Sequence, residues 1–245
     1  TYMIHHSTYL DDKLGFLSRQ MKDKIERYKE TEPDYYRWMY LGEVIGLGNH
    51  VYNMSYFKPL DSLPDNDKVI GISFALDTGH QQSATACGAY GLTAKGNVIL
   101  LDTFYYSPAG KTIKKAPSEL SVMIHDFIDK VMKQYRVPKL KMTIDSAEGA
   151  LRNQYFKDYG ERWHPVAKKK NQTMIDMVIS LLAEGRFYYL DIPANKVFVE
   201  EHKMYRYDDK TINTDDPKVI KEDDHTVDEF KYFVLDNARE LRLKA

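Results

Sequence analysis

Three groups of acidic residues stand where a divalent cation could be held between them. Asp77 closes the apolar run Val69-Ile-Gly-Ile-Ser-Phe-Ala-Leu76, and Asp145 closes the run Lys139-Leu-Lys-Met-Thr-Ile144. Asp224-His225-Thr-Val-Asp228 opens the long helical stretch near the end of the chain. Hard divalent cations take oxygen ligands, and phosphodiester hydrolysis often uses two of them about 4 Å apart. Carboxylates at the ends of two strands and on a late helix supply such ligands. The expected metal ligands are therefore Asp77, Asp145, Asp224, His225 and Asp228, with Asp77, Asp145, His225 and Asp228 as the catalytic set.

Each group also has a plainer explanation. Asp77, followed by Thr78-Gly79, could simply form an Asx-type turn at a strand end. Asp145 could cap the following helix, although Ser146 is available for that task. Glu148, in the first turn, is read as a residue favoured by the helix dipole. On a helix, His225 and Asp228 lie about 60° apart and Asp224 and Asp228 about 40° apart. Both aspartates border the apolar stripe Val227, Phe230, Val234 and Ala238, where a half-buried carboxylate needs a partner. Glu222-Asp-Asp224 fits a solvated helix start, but Asp228 lies past the first turn, where that explanation weakens.

The elements that must position these residues can be read from hydrophobic periodicity. Strands are expected at 69–76, 83–91 and 97–106, joined by short turns and hence an antiparallel meander. A helix over 117–135 follows, then a strand at 139–144, a helix over 147–158 and a short strand at 163–167. A helix from Asn171 to Glu184, a strand at 186–190 and a helix from Ala194 to Tyr205 come next. A polar hairpin over 206–221 and a helix from about Asp223 to Leu241 close the chain. Ahead of the meander, helical spacing runs through Leu14, Leu17, Met21, Ile25 and Tyr28, and Leu41 to Tyr52 reads as two short strands around Gly48-Asn49. The loop Ser62-Leu-Pro-Asp-Asn-Asp67 marks the expected domain boundary. A meander followed by interleaved helices gives an α/β fold with a mixed central sheet, the RNase H-like topology, behind a helical N-terminal extension.

Composition narrows the function classes. The 35 Lys and Arg against 36 Asp and Glu leave a net charge of -1, which argues against coating nucleic acid by bulk charge but leaves room for a local basic groove. A 43% hydrophobic content supports a sizeable core, and a mean hydropathy of -0.55 indicates a well-solvated surface. No run approaches the roughly 20 apolar residues of a membrane span, so no membrane partner is expected. Thr1-Tyr-Met-Ile-His-His has no signal-peptide pattern, and the single Cys87 suits a reducing compartment. The 19 tyrosines are expected to pack rather than to stack on bases. Neither a G-x-G-x-x-G nor a P-loop pattern occurs, so ATP hydrolysis by a P-loop is not expected of these residues.

Several segments together resemble the nuclease domain of tailed-phage terminase large subunits, the motors that package DNA into procapsids. Thr143-Ile-Asp-Ser-Ala-Glu148 resembles that family's second acidic motif, and Asp224-His225-Thr-Val-Asp228-Glu-Phe-Lys-Tyr232 is similar to its closing D-H-x-x-D-A-x-R-Y pattern. Leu41 to Tyr52 resembles its lead-in hairpin, and His6-Ser-Thr-Tyr-Leu-Asp11 the segment after the motor ATPase core. Glu229, Lys231 and Gly149 depart from the family's usual Ala, Arg and Pro.

The resemblance implies residues 1–62 as the end of the ATPase part plus lead-in hairpin, and 63–245 as the nuclease domain. It implies a metal-dependent endonuclease acting on concatemeric double-stranded DNA with little sequence preference, by a two-metal mechanism with Mg²⁺ or Mn²⁺. Mn²⁺ is favoured because imidazole suits it better than Mg²⁺. Expected partners are DNA, the terminase small subunit and the procapsid portal, with an upstream ATPase domain and a place in the host cytoplasm. Lys168, Lys169 and Lys170 resemble the family's lysine-containing loop and are weak candidates for phosphate contact, against a solvated charge run. The polar hairpin, with Asp208, Asp209, Asp215 and Asp216, reads as regulatory rather than as a DNA clamp. The alternatives are another RNase H-like nuclease of resolvase or transposase type, and a catalytically silent DNA-guiding or portal-docking module.

Overall fold

The computed structural model describes residues 8–31, 36–37, 40–41, 49–79, 83–111, 113–214 and 216–243. Two compact units divide between Asn49 and His50. In the first, α1 (Arg19–Thr31) carries the exposed Met21 and the buried Ile25, while Leu14 and Leu17 precede the helix. Tyr9 hydrogen-bonds Glu26 at 2.6 Å and Tyr36 at 2.8 Å, which ties the start of this unit to its helix. The two strands expected across 41–52 fall largely outside the described residues. The described His50 instead makes an isolated bridge with Arg206.

The second unit is built on one sheet of seven strands: β1 (Lys58–Leu60), β2 (Val69–Asp77), β3 (Thr85–Thr93), β4 (Val98–Tyr106), β5 (Lys139–Asp145), β6 (His164–Val166) and β7 (Phe187–Leu190). Their order is β1-β7-β4-β3-β2-β5-β6. The meander β2-β3-β4 is antiparallel, while β5 joins β2, β6 joins β5 and β7 joins β4 in parallel. The C-terminal ends of β2, β4, β5, β6 and β7 therefore lie along one edge of the sheet, and Asp77 and Asp145 sit there on adjacent strands.

Helices cover both faces. Helices α2 (Pro117–Tyr135) and α3 (Gly149–Tyr159) pack on the face of Ile72, Phe74, Leu76, Cys87 and Ala89. The other face, with Ala75, Tyr90, Val98 and Leu100, receives α4 (Asn171–Ala183), α5 (Lys196–Met204) and α6 (His225–Asp236). Val51, Tyr52 and Phe57 are buried in that second core, and β1 pairs with β7. Residues 50–62 thus pack with the larger unit, ahead of the loop at 62–67 where the sequence suggested a boundary. That loop is itself bound to the sheet, since Asp67 accepts hydrogen bonds from Thr93 Oγ1, the Lys95 amide and Asn97 Nδ2.

Two elements differ from expectation. The segment after α5 forms isolated bridges, Tyr207 with Val219 and Arg206 with His50, rather than a continuous hairpin. Helix α6 is buried nearly all round. Beside Val227, Phe230 and Val234, it encloses Glu229, Lys231, Tyr232 and Phe233. The helix runs across the sheet with α4 and α5 beside it, so the one-sided stripe suggested by its apolar residues is only part of its contact surface.

Candidate metal centre

The sheet topology brings the first two carboxylates together, and α6 supplies the rest. Asp77 ends the fully buried centre of β2, so its carboxyl stands at the edge with a side-chain exposure of 14%. Asp145 ends β5 beside it at 8%. Asp224 precedes α6, and Asp228 sits one turn later, at 11% and 15%. Asp145 also accepts a hydrogen bond from the Ala147 amide at 3.2 Å through Oδ1, which leaves Oδ2 facing Lys168.

His225 is held at both ring nitrogens. Nδ1 lies 2.9 Å from Asp77 Oδ2, and Nε2 accepts from the Ala84 amide at 3.2 Å. That second contact places the proton on Nδ1, which donates to Asp77. Burial opposes the charged imidazole, yet the Asp77 carboxylate turns the net direction of its pKa upward. An added proton on Nε2 would set N–H against N–H, so we assign the neutral form. The backbone around Ala84 depends on Gly79: a Cβ there would stand 2.0 Å from the Ala84 carbonyl oxygen. As placed, His225 brackets Asp77, and acting as a metal ligand would require it to release Ala84. Burial pushes the Asp77 carboxyl up, and the His225 hydrogen bond partly offsets this.

Three lysines meet the remaining carboxylates. Lys168 Nζ lies 2.6 Å from Asp145 Oδ2 and over the Tyr232 ring, 5.1 Å from its centroid. Lys221 Nζ lies 2.9 Å from Asp224 Oδ2 and 3.1 Å from Asp228 Oδ2. Lys231, 1% exposed, places Nζ 2.5 Å from Asp228 Oδ1, 2.7 Å from Asn171 Oδ1 and 3.0 Å from the Tyr205 hydroxyl. Burial would raise the Asp228 pKa, but these two ammonium groups outweigh it and hold the carboxyl below its usual value. Lys231 thus has an oxygen within reach for each of its three N–H groups. Lys168 and Lys221 are half-exposed and can be displaced.

Among the described residues, no three acidic, histidine or cysteine side chains stand close enough to share one ion. The carboxylate oxygens are nevertheless of the kind a hard cation takes, and the half-exposed Lys168 and Lys221 on Asp145, Asp224 and Asp228 mark where positive charge is accommodated. Lys169 and Lys170 are exposed in the loop before α4, beside Lys168.

Several participants were not singled out from the sequence. Lys221 lay in a segment read as a polar hairpin. Glu229 and Lys231 were noted only as departures from a pattern. Glu229 is fully buried and accepts a hydrogen bond from the Tyr90 hydroxyl at 2.7 Å, and burial pushes its pKa well up. Glu201 accepts from the Thr226 amide and hydroxyl, both at 2.7 Å, and so fixes the first turn of α6. The available signal was local: the charges at 229 and 231 flank Phe230 within the apolar stretch from Val227 to Leu235.

Comparison with known proteins agrees with this fold. Residues 77–236 match the family model described as terminase RNAseH like domain, and residues 1–43 match that described as phage terminase large subunit. The large terminase of a thermophilic bacteriophage superposes with a TM-score of 0.64 at 21% identity, covering 94% of this chain and 54% of that one. The P22 large terminase nuclease domain gives 0.55 at 16% identity, covering 80% of this chain and 99% of that one. The nuclease domain of the bacteriophage SPP1 large terminase with bound Mn gives 0.51 at 18% identity, covering 70% and 88%. This chain thus spans about half the length of the thermophilic phage's protein. No curated protein matches it.

Proposed function

This chain belongs to the RNase H-like domain family of phage terminase large subunits, and from that premise we propose that it is a metal-dependent DNA endonuclease. Its substrate would be concatemeric double-stranded DNA, cut with little sequence preference. The observation that carries the proposal is the placing of Asp77 and Asp145 at the ends of adjacent strands, with Asp145 under the displaceable Lys168 and Asp224 and Asp228 under the displaceable Lys221. When bound there, two Mg²⁺ or Mn²⁺ ions would supply an activated water and stabilise the leaving 3′ oxygen. Asp77, Asp145, Asp224 and Asp228 would hold them. His225 would keep Asp77 oriented through the Nδ1 hydrogen bond.

Lys168 has a second task in this reading. Freed from Asp145, its ammonium can meet the approaching phosphate, joined by Lys169 and Lys170. Such contacts are independent of sequence and position the backbone. The small subunit, the procapsid portal and an upstream ATPase part are the partners proposed from the family, in the host cytoplasm. Tethering by them would raise the local DNA concentration far above what this domain's own charge sustains.

One observation favours a silent, DNA-guiding module instead: lysine ammonium groups already neutralise much of the acidic cluster. A plasmid-nicking assay separates the readings. Nicking with Mn²⁺ or Mg²⁺ that stops with EDTA, and falls below about a tenth in Asp77→Asn and Asp145→Asn, supports the enzyme. No nicking by the wild type with either ion would leave the guiding module. With His225 on Asp77 rather than on the ion, no imidazole ligand is there to favour Mn²⁺, and rates with the two ions in the same assay test that preference.

A further inference from the structure

Tyr232 stands four residues after Asp228 on α6, and so on the same helix face. It is 1% exposed, and its hydroxyl has no hydrogen-bond partner among the described residues. Buried hydroxyls nearly always have one, and an exception calls for a reason. The surroundings supply it. The ring face carries the Lys168 ammonium, which in turn lies 2.6 Å from Asp145 Oδ2. Burial first, then the neighbouring carboxylates, raise the pKa of the hydroxyl. A buried O–H donor thus stands one turn along α6 from Asp228, with its ring against the lysine that holds Asp145, and reaches no partner among the described residues.

We propose that Tyr232 is a residue of the metal centre whose hydroxyl donates a hydrogen bond to water carried by the cation held among these carboxylates. This rests on the metal-dependent reading above. A donor at that point orients the bound water and stabilises its coordination, as outer partners of metal sites do. The packing has a clear division of labour. The ring keeps a cationic face beside Lys168 when that lysine leaves Asp145, while the hydroxyl serves the incoming ion.

The test is Tyr232→Phe, which keeps the ring and removes only the oxygen. Titration calorimetry of the full chain with Mn²⁺, without DNA, is compared for the wild type, Tyr232→Phe and Asp145→Asn, with melting recorded in EDTA. We expect Tyr232→Phe to melt in EDTA within about a degree of the wild type, because no protein hydrogen bond is lost. Its Mn²⁺ affinity should fall by about tenfold. Wild-type affinity in Tyr232→Phe would remove the hydroxyl from the centre. Melting several degrees lower in EDTA would assign it to the fold instead. If the wild type takes up no Mn²⁺, or Asp145→Asn binds it equally well, the metal-centre reading itself fails and this proposal with it.

Discussion

His225 shows how a residue's role depends on what its two ring nitrogens already touch. With Nδ1 on Asp77 and Nε2 on Ala84, it acts on the centre through Asp77. His225→Ala should therefore lower nicking by about 10–100-fold, the usual effect of losing an outer partner of a metal ligand. The loss should be equal with Mn²⁺ and Mg²⁺. If imidazole were itself a ligand, its removal would narrow a Mn²⁺ advantage, because nitrogen favours the later metal. Measuring both rates in one variant separates the two roles. Unequal losses would count against the bracket.

At the scale of elements, the close approach of β3 to α6 and the lysine loop before α4 each set a condition on the centre. A Cβ at Gly88 would lie 2.5 Å from Glu229 Oε1 and 2.6 Å from the Tyr90 ring, both fixed in the core. Gly88→Ala should destabilise the domain by about 1–3 kcal/mol, as overpacking does, measured by urea unfolding. A neutral result would mean that Glu229 can withdraw, which its fully buried position opposes. The lysine loop can be tested with Lys168→Ala, Lys169→Ala and Lys170→Ala combined. Each phosphate contact contributes a slope of about -0.9 in log K against log salt, so the slope should flatten by up to roughly three units. An unchanged slope in DNA-binding titrations would return the loop to a solvated charge run.

For the molecule as a whole, pH reports on the second core. His202 is fully buried between Tyr52, Phe57, Phe198 and Phe230, and Nδ1 lies 2.8 Å from the Phe198 carbonyl oxygen. Burial pushes its pKa down from 6.5 to about 3. The unfolded chain therefore takes up this proton first, and stability falls as pH drops from about 6.5 towards 3. At 1.36 kcal/mol per unit, pH 6.5 to pH 5 removes about 2 kcal/mol. Asp77, Glu201 and Glu229 act in the opposite sense: their pKa values are raised, so they favour folding in acid and lose that contribution as pH rises. They remain in His202→Phe, so urea unfolding of the wild type and that variant at pH 7 and pH 5 isolates the histidine. The variant should lose less stability on acidification, and parallel changes would contradict the assignment.

Much of this protein is local enough to be read from residue order. Alternation and apolar runs mark the meander, β5 and its flanking helices, because burial of one face imposes a period on the chain. Pro117, at the first position of α2, marks its start for the same kind of reason: its fixed backbone suits a helix entrance. The carboxylates at the ends of β2 and β5 and at the start of α6 were visible as types at strand and helix boundaries. Lys221 and Lys231 stand three residues from Asp224 and Asp228 and are local partners, whereas tertiary structure alone decided that Lys168 meets Asp145 and that Lys231 also binds Asn171 and Tyr205. It alone decided that β5 lies beside β2, which turns two separate aspartates into neighbours. Charge and hydrogen bonding act through space, and the pattern of a single strand or helix records only which side is apolar, not which distant group will face it.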